Sequence, residues 1–281
     1  MTADRSARAS LAGASVVIAT MHGKEAAFGP ALETAGFRWA VAPEFDTDRF
    51  GTFSGAIPRT GTMMNAARAK ARAAFAHQDS DFALASEGAF GPHPVIGLLP
   101  GGRELVLLLH RETGTEILET LTTFDTNFSQ LEPGGGADIN AWLDQIGFPE
   151  HGVLVRSAPD RAPLTAGSRQ ELEAALARSD HGAVRLETDM RAHRNPTRMA
   201  VIAELADRLT ARLCSPCPSC CNPGFGVVQR LPGLPCSTCG APTPLIVEER
   251  FACPWCRHEA RKARADGLET ADPGECPACN P

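Results

Sequence analysis

All ten cysteines of this chain lie between Cys214 and Cys279, and eight of them form four Cys-x2-Cys pairs: Cys217/Cys220, Cys236/Cys239, Cys253/Cys256 and Cys276/Cys279. Two residues between thiolates let one tight turn present both sulfurs to a single metal, and a second such turn completes a tetrahedron. Fifteen residues separate Cys220 from Cys236 and nineteen separate Cys256 from Cys276, spacings suited to four-cysteine zinc sites. The turns carry Pro, Ser and Gly, as in Cys-Pro-Ser-Cys and Cys-Ser-Thr-Cys-Gly. Soft sulfur ligands select zinc, and two consecutive zinc ribbons fit the spacing best. A cross-braced arrangement joining the first pair to the third uses the same ligands in other sets. A disulfide framework or an iron–sulfur cluster are the rival uses of these thiols. Cys214 and Cys221 are left over.

A second chemistry is suggested by lysine scarcity. Of 27 basic residues only Lys24, Lys70 and Lys262 are lysines. An ammonium is a compact point charge that approaches a phosphate oxygen singly, unlike the forked guanidinium. Lys24 stands just after a strand-like run, where backbone N–H groups at a helix start attract anions. Lys70 falls in the helical stretch beyond Gly61. A third cluster, from Asp189 through Arg191, His193 and Arg194 to Arg198, opens another helix and makes Arg191 and Arg198 candidate anion contacts.

The elements that must position these groups follow from hydrophobic period and turn chemistry. A buried strand is expected over residues 13–20, a helix over 24–35 ended by Gly36, and a strand over 37–42, the βαβ opening of an α/β domain. A helix follows over 62–76, then strands over 81–90, 104–110 and 115–123, the last two joined as a hairpin. Gly134-Gly135-Gly136 reads as a break. Beyond it come a helix near 138–146, a strand over 153–156, and a helix over 169–178 begun by the capping box Ser168-x-x-Glu171. The strand over 183–188 precedes a long helix capped at Asn195-Pro196, with Ile202, Leu205, Leu209 and Leu213 on one face. The expected fold is α/β, a mixed sheet with flanking helices, over residues 1–213, followed by a small cysteine-rich zinc-ribbon module over 214–281.

Composition narrows the partners. The chain has 281 residues and a net charge of -6, so no bulk positive field holds a polyanion. From Cys214 onward six basic residues face seven acidic ones, and each tetrathiolate zinc adds about -2. Nucleic acid is therefore not the expected partner, and the basic stretch of Arg257, Arg261, Lys262 and Arg264 reads as a solvated helix face. No run is long enough to span a bilayer and no secretory leader is apparent at the start, so a cytoplasmic location is expected. No internal repeat is visible.

The segment from Ile18 through Thr20 and His22 to Lys24, the segment from Ser54 through Thr62 and Asn65 to Lys70, and the segment from Asp81 through Glu87 to Phe90 together resemble the inosine/xanthosine triphosphate pyrophosphatase superfamily. The likeness covers about the first third of the chain, with His22 or Met21 where the family opening has asparagine. It implies that Lys24 and Lys70 contact phosphates, that Thr20 lines the phosphate loop and that Glu87 helps hold Mg²⁺, with Lys24 and Glu87 as the catalytic pair. The whole layout, ending in Pro223-Gly224-Phe225, Gly233-Leu234-Pro235-Cys236 and Cys279-Asn280-Pro281, also resembles a bacterial family of unknown function. Two functions follow: a zinc-binding, Mg-dependent nucleotide or phosphate-compound hydrolase, or a non-catalytic scaffold whose zinc ribbons dock a protein partner. Convergence of Lys24, Lys70, Glu87 and the Asp189–Arg198 segment on one cleft favours the first.

Overall fold

The computed structural model describes residues 13–51, 61–93, 97–133, 136–157, 162–179 and 184–281. Residues 54–60 of the resembling segment, Gly134 and Gly135, the start of the strand expected at residue 183, and residues 1–12 lie outside the described residues. The chain forms two compact units, with Gly13–Thr210 in one and Ala211–Pro281 in the other.

The first unit begins as its sequence dictates. The run Ser-Val-Val-Ile-Ala forms β1 (Ser15–Ala19), with every residue after Ser15 buried. After α1 (Glu25–Thr34), the chain returns as β2 (Arg38–Val41), parallel to β1. Helix α2 (Met63–Ala74) is capped by Thr62, whose hydroxyl accepts from the Asn65 N–H at 3.2 Å. Its alanines Ala67, Ala71 and Ala74 leave room to lie flat on the sheet, against Val17, Ala83, Ala85 and Leu107. Strand β3 (Phe82–Pro92) runs parallel to β1 and antiparallel to β4 (Pro100–His110), which pairs antiparallel with β5 (Glu116–Thr123). The order β2-β1-β3-β4-β5 is the expected mixed sheet.

The later strands do not extend that sheet. Strands β6 (Gln130–Leu131), β7 (Val153–Arg156), β8 (Leu164–Ala166) and β9 (Arg185–Thr188) build a separate sheet of order β6-β9-β7-β8, antiparallel throughout. The reason is local: β8 folds back on β7 as a short partner, so the chain leaves α4 (Arg169–Arg178) travelling against β7. Helices α3 (Ile139–Ile146) and α4 supply Trp142, Leu143, Ile146, Leu172 and Ala175 to a core with Val153, Val155 and Leu186. Ser168 caps α4 as expected, accepting from the Glu171 N–H at 3.2 Å, while Glu171 reaches back to the Gly167 N–H at 2.7 Å instead of that of Ser168. Helix α5 (Pro196–Leu213) starts at Asn195, whose side-chain oxygen accepts from the Arg198 N–H at 2.9 Å.

The second unit holds three antiparallel strands, β10 (Gly226–Pro232), β11 (Ile246–Ala252) and β12 (Glu259–Ala263). The basic stretch expected on a helix is therefore not helical: Arg261 and Lys262 lie on strand β12 and find cross-strand partners, Arg257 is left-handed in the turn before it, and Arg264 follows its end. Arg261 reaches Glu248 at 3.3 Å and the Lys262 ammonium sits 4.4 Å from the Phe251 ring centroid.

Candidate functional site

In an α/β sheet, clefts open where parallel strands end. Here β1 ends at Ala19 and β3 passes beside it, so Thr20, His22 and Lys24, at the start of α1, meet Ser86 and Glu87 on β3. Lys70 from α2 and Thr47 and Asp48, before β3, complete the lining of one cleft. The structure thus brings together Thr20, Lys24, Lys70 and Glu87, four residues that the sequence singled out from three separated segments.

Each charge in the cleft is held against a named partner. The Lys24 ammonium is buried and donates to the Ser86 hydroxyl at 3.0 Å and the Ser86 carbonyl at 3.3 Å. Both partners are neutral, so burial, followed by the nearby Arg198 guanidinium, pulls Lys24 down to about 7 against the opposing effect of Glu104. Lys70 and Glu87 form a buried ion pair at 2.5 Å. At the mouth His22 approaches Asp48, Nε2 to Oδ1, at 3.4 Å, and its ring stacks on His193 with centroids 5.1 Å apart. Burial lowers the pKa of both imidazoles; Asp48 opposes that shift in His22, whereas Arg191 reinforces it in His193.

The two arginines expected to contact phosphate are occupied otherwise. Arg198 is fully buried and forks onto Glu104, Nε to Oε1 at 2.7 Å and Nη2 to Oε2 at 3.2 Å, while Nη1 donates to the Met190 carbonyl. It stands inside the fold as the partner of a buried carboxylate, and a charge so placed is needed for that pairing. Gly88 makes room for it: a Cβ there would lie 2.5 Å from Arg198 Nη2 and 2.7 Å from Glu104 Oε1. Arg191 grips the buried Asp189 with Nε 3.0 and 3.1 Å from its two oxygens. Neither arginine lines the cleft. Sequence reasoning passed over Ser86, Thr47 and Asp48. Ser86 was detectable as the neighbour of Glu87, whereas Asp48 enters through loop geometry that has no periodic signal.

In the other unit the eight paired cysteines form two tetrads, Cys217, Cys220, Cys253 and Cys256 in one and Cys236, Cys239, Cys276 and Cys279 in the other, with the sulfurs of each within 4.8 Å of one another. The first pair joins the third and the second joins the fourth, so the consecutive-ribbon arrangement gives way to the cross-braced one. All ten cysteines are unbridged. The closest sulfur pairs are 3.7 Å (Cys217–Cys256), 3.6 Å (Cys220–Cys253), 3.9 Å (Cys236–Cys279) and 3.7 Å (Cys239–Cys276). Ligands about 2.3 Å from a tetrahedral centre are about 3.8 Å apart, so both tetrads are dimensioned for a metal ion.

A family model described as a domain of unknown function, DUF6671, matches residues 70–281, more than half of the chain. The chain belongs to that family. Among curated proteins and among solved structures none matches, and the pyrophosphatase likeness stands on its quoted residues alone. The DUF6671 match takes in Lys70, Ser86, Glu87 and both tetrads.

The DUF6671 tetrads rest on a turn that recurs three times. In each, the N–H two residues on donates to the first sulfur at 3.4 Å: Ser219 to Cys217, Thr238 to Cys236 and Trp255 to Cys253. The residue four on from the first cysteine is left-handed: Cys221 (φ 60°), Gly240 (φ 71°) and Arg257 (φ 62°). This is an internal repeat that side-chain identity conceals, and it gives Cys221 a backbone position instead of a ligand role. Amides of Cys239 and Thr238 hold the Cys236 thiol down to about 7, whereas burial pushes Cys253 up to about 12. Among the described residues, no helix is long and apolar enough to cross a membrane.

Proposed function

We propose that this DUF6671 protein is a zinc protein whose cleft hydrolyses phosphate anhydrides or esters, nucleoside triphosphates being the first candidates. Zinc is the metal that suits two four-thiolate sites, and with all four positions taken by protein sulfur it is structural. The observation that carries the hydrolase reading is the meeting of Lys24, Lys70 and Glu87 in one cleft at the end of β1. Two buried ammonium groups beside a carboxylate form a site with cations for a polyphosphate and an oxygen ligand for its counter-ion.

The donor set fits Mg²⁺, which takes one or two carboxylates and completes its shell with water and phosphate oxygens. Glu87 would hold it, and the ion would supply charge neutralisation at the phosphoryl oxygens. The chain's own part is positional. Glu87, were it to hold such an ion in place of Lys70, would leave the Lys70 ammonium available to substrate. Lys24, poised near neutrality by burial, is drawn back to its charged form by an arriving phosphate and binds it as a cation. Thr20 and Ser86 offer hydroxyls along the same wall.

The test is release of phosphate and of diphosphate from canonical and deaminated nucleoside triphosphates with Mg²⁺, by wild type, Lys24→Ala and Glu87→Ala. Turnover by wild type that falls at least 100-fold in both folded, zinc-loaded variants supports the reading. No turnover on any of these substrates by folded, zinc-loaded wild type transfers the weight to a scaffold that docks a protein through its zinc module.

A further inference from the structure

The cleft contains a proton acceptor that the phosphate-binding residues do not supply. Lys24 and Lys70 are cations toward a phosphate, and Glu87 is committed to Lys70 or to the counter-ion. His22 lines the same cleft. Its backbone N–H is held by the Thr20 hydroxyl at 3.4 Å, its Nε2 faces the Asp48 carboxylate at 3.4 Å, and its ring lies against His193 at an interplanar angle of 22°.

Asp48 can only accept, so Nε2 carries the proton and Nδ1 is the lone-pair nitrogen. Among the described residues Nδ1 has no hydrogen-bond partner. The charged groups around the pair are Asp48 and Lys24 beside His22, and Arg191, Asp189 and Arg194 beside His193. Burial together with these cations keeps both rings neutral near pH 7, and a neutral imidazole is the form that takes a proton.

We infer that His22 is the general base of this cleft, held in its Nε2–H tautomer by Asp48 and fixed in plane by stacking on His193; this rests on the hydrolase reading above. As the water oxygen bonds to phosphorus, one water proton passes to His22 Nδ1. The bond from phosphorus to the leaving oxygen breaks, and its electron pair departs with that oxygen.

The experiment is the pH dependence of inosine triphosphate hydrolysis with Mg²⁺ by zinc-loaded wild type, His22→Phe, which keeps an aromatic ring for the stack, and Asp48→Asn. Nitrogen-15 spectra of the imidazoles accompany it. General-base loss costs about 100- to 10,000-fold, so His22→Phe is expected to lose at least 100-fold in kcat with KM changed less than threefold, and to lose the acid limb of the profile. Asp48→Asn removes the one group that raises the His22 pKa, so its acid limb moves to lower pH and the Nε2–H tautomer is no longer enforced. A His22→Phe enzyme that retains kcat or the acid limb, while Lys24→Ala is inactive, overturns the inference and leaves the hydrolase reading in place. An Nδ1–H tautomer in wild type overturns it as well. Absence of any wild-type turnover removes both.

Discussion

The two units of this protein solve one problem, holding charged groups at fixed separation, by opposite means. Around the cleft, Lys24, Lys70, Glu87, Glu104 and Arg198 are buried by the packing of β1, β3, β4, α2 and α5. In the cysteine module no residue of β10, β11 or β12 is fully buried, and four of its buried residues are the cysteines Cys217, Cys236, Cys253 and Cys276. A core made of sulfur depends on the ion that draws the thiolates together, whereas a core made of Leu and Ala does not. The first unit is therefore stabilised by apolar burial and can spend it on unfavourable charge placement. The second has little apolar area to spend.

The largest effect should follow from removing metal. Structural zinc in small modules binds with an apparent free energy of about 10–16 kcal/mol. Chelation should therefore unfold residues 214–281 and leave residues 13–210 protected, as followed by amide hydrogen exchange. Loss of protection in both units together would erase the contrast. Next in size is the buried pair of the first unit. Arg198→Met leaves Glu104 buried and unpaired and is expected to cost about 3–5 kcal/mol in denaturant unfolding. The double variant Arg198→Met/Glu104→Leu should recover most of that loss, which marks the penalty as one of an orphaned charge.

Per pH unit, Lys24 gives a smaller effect, with a definite sign. Its folded pKa, about 7, lies below the unfolded value of 10.5, so between those limits the unfolded chain binds more protons and stability rises with pH. Relative to Lys24→Met, wild type should gain up to about 1.4 kcal/mol per pH unit from pH 7 to 10.5, measured as the pH dependence of the difference in unfolding free energy. The smallest effect belongs to Cys221. A non-glycine residue in the left-handed region is strained, so Cys221→Gly should stabilise the metal-loaded module by up to about 1 kcal/mol in thermal unfolding, with two metal ions retained.

Most of the first unit was legible because its signals are local. The apolar run at Val16–Val17–Ile18, the Ser168 cap and the Asn195-Pro196 start each announce an element within a few residues. The ligand cysteines were legible for the same reason. What stayed hidden was which elements meet. The separation into two sheets depends on β8 turning back on β7, and the cross-braced tetrads depend on which turn meets which across 33 to 43 residues of sequence. The fates of Arg191 and Arg198 show the same limit. Their charge is visible in the sequence, but Asp189 and the distant Glu104 decide that it is neutralised inside the fold.

The central claim, that the cleft receives phosphate through Lys24, is tested most directly by titration calorimetry at pH 8. The ligand is a non-hydrolysable inosine triphosphate analogue with Mg²⁺, added to zinc-loaded protein in two buffers of different ionisation enthalpy. Lys24 is mostly neutral there, and a bound phosphate returns it to the ammonium form. The account predicts binding with an uptake of close to one proton, and loss of that uptake in Lys24→Met. Absence of binding, or binding with the same proton uptake in Lys24→Met, would contradict it.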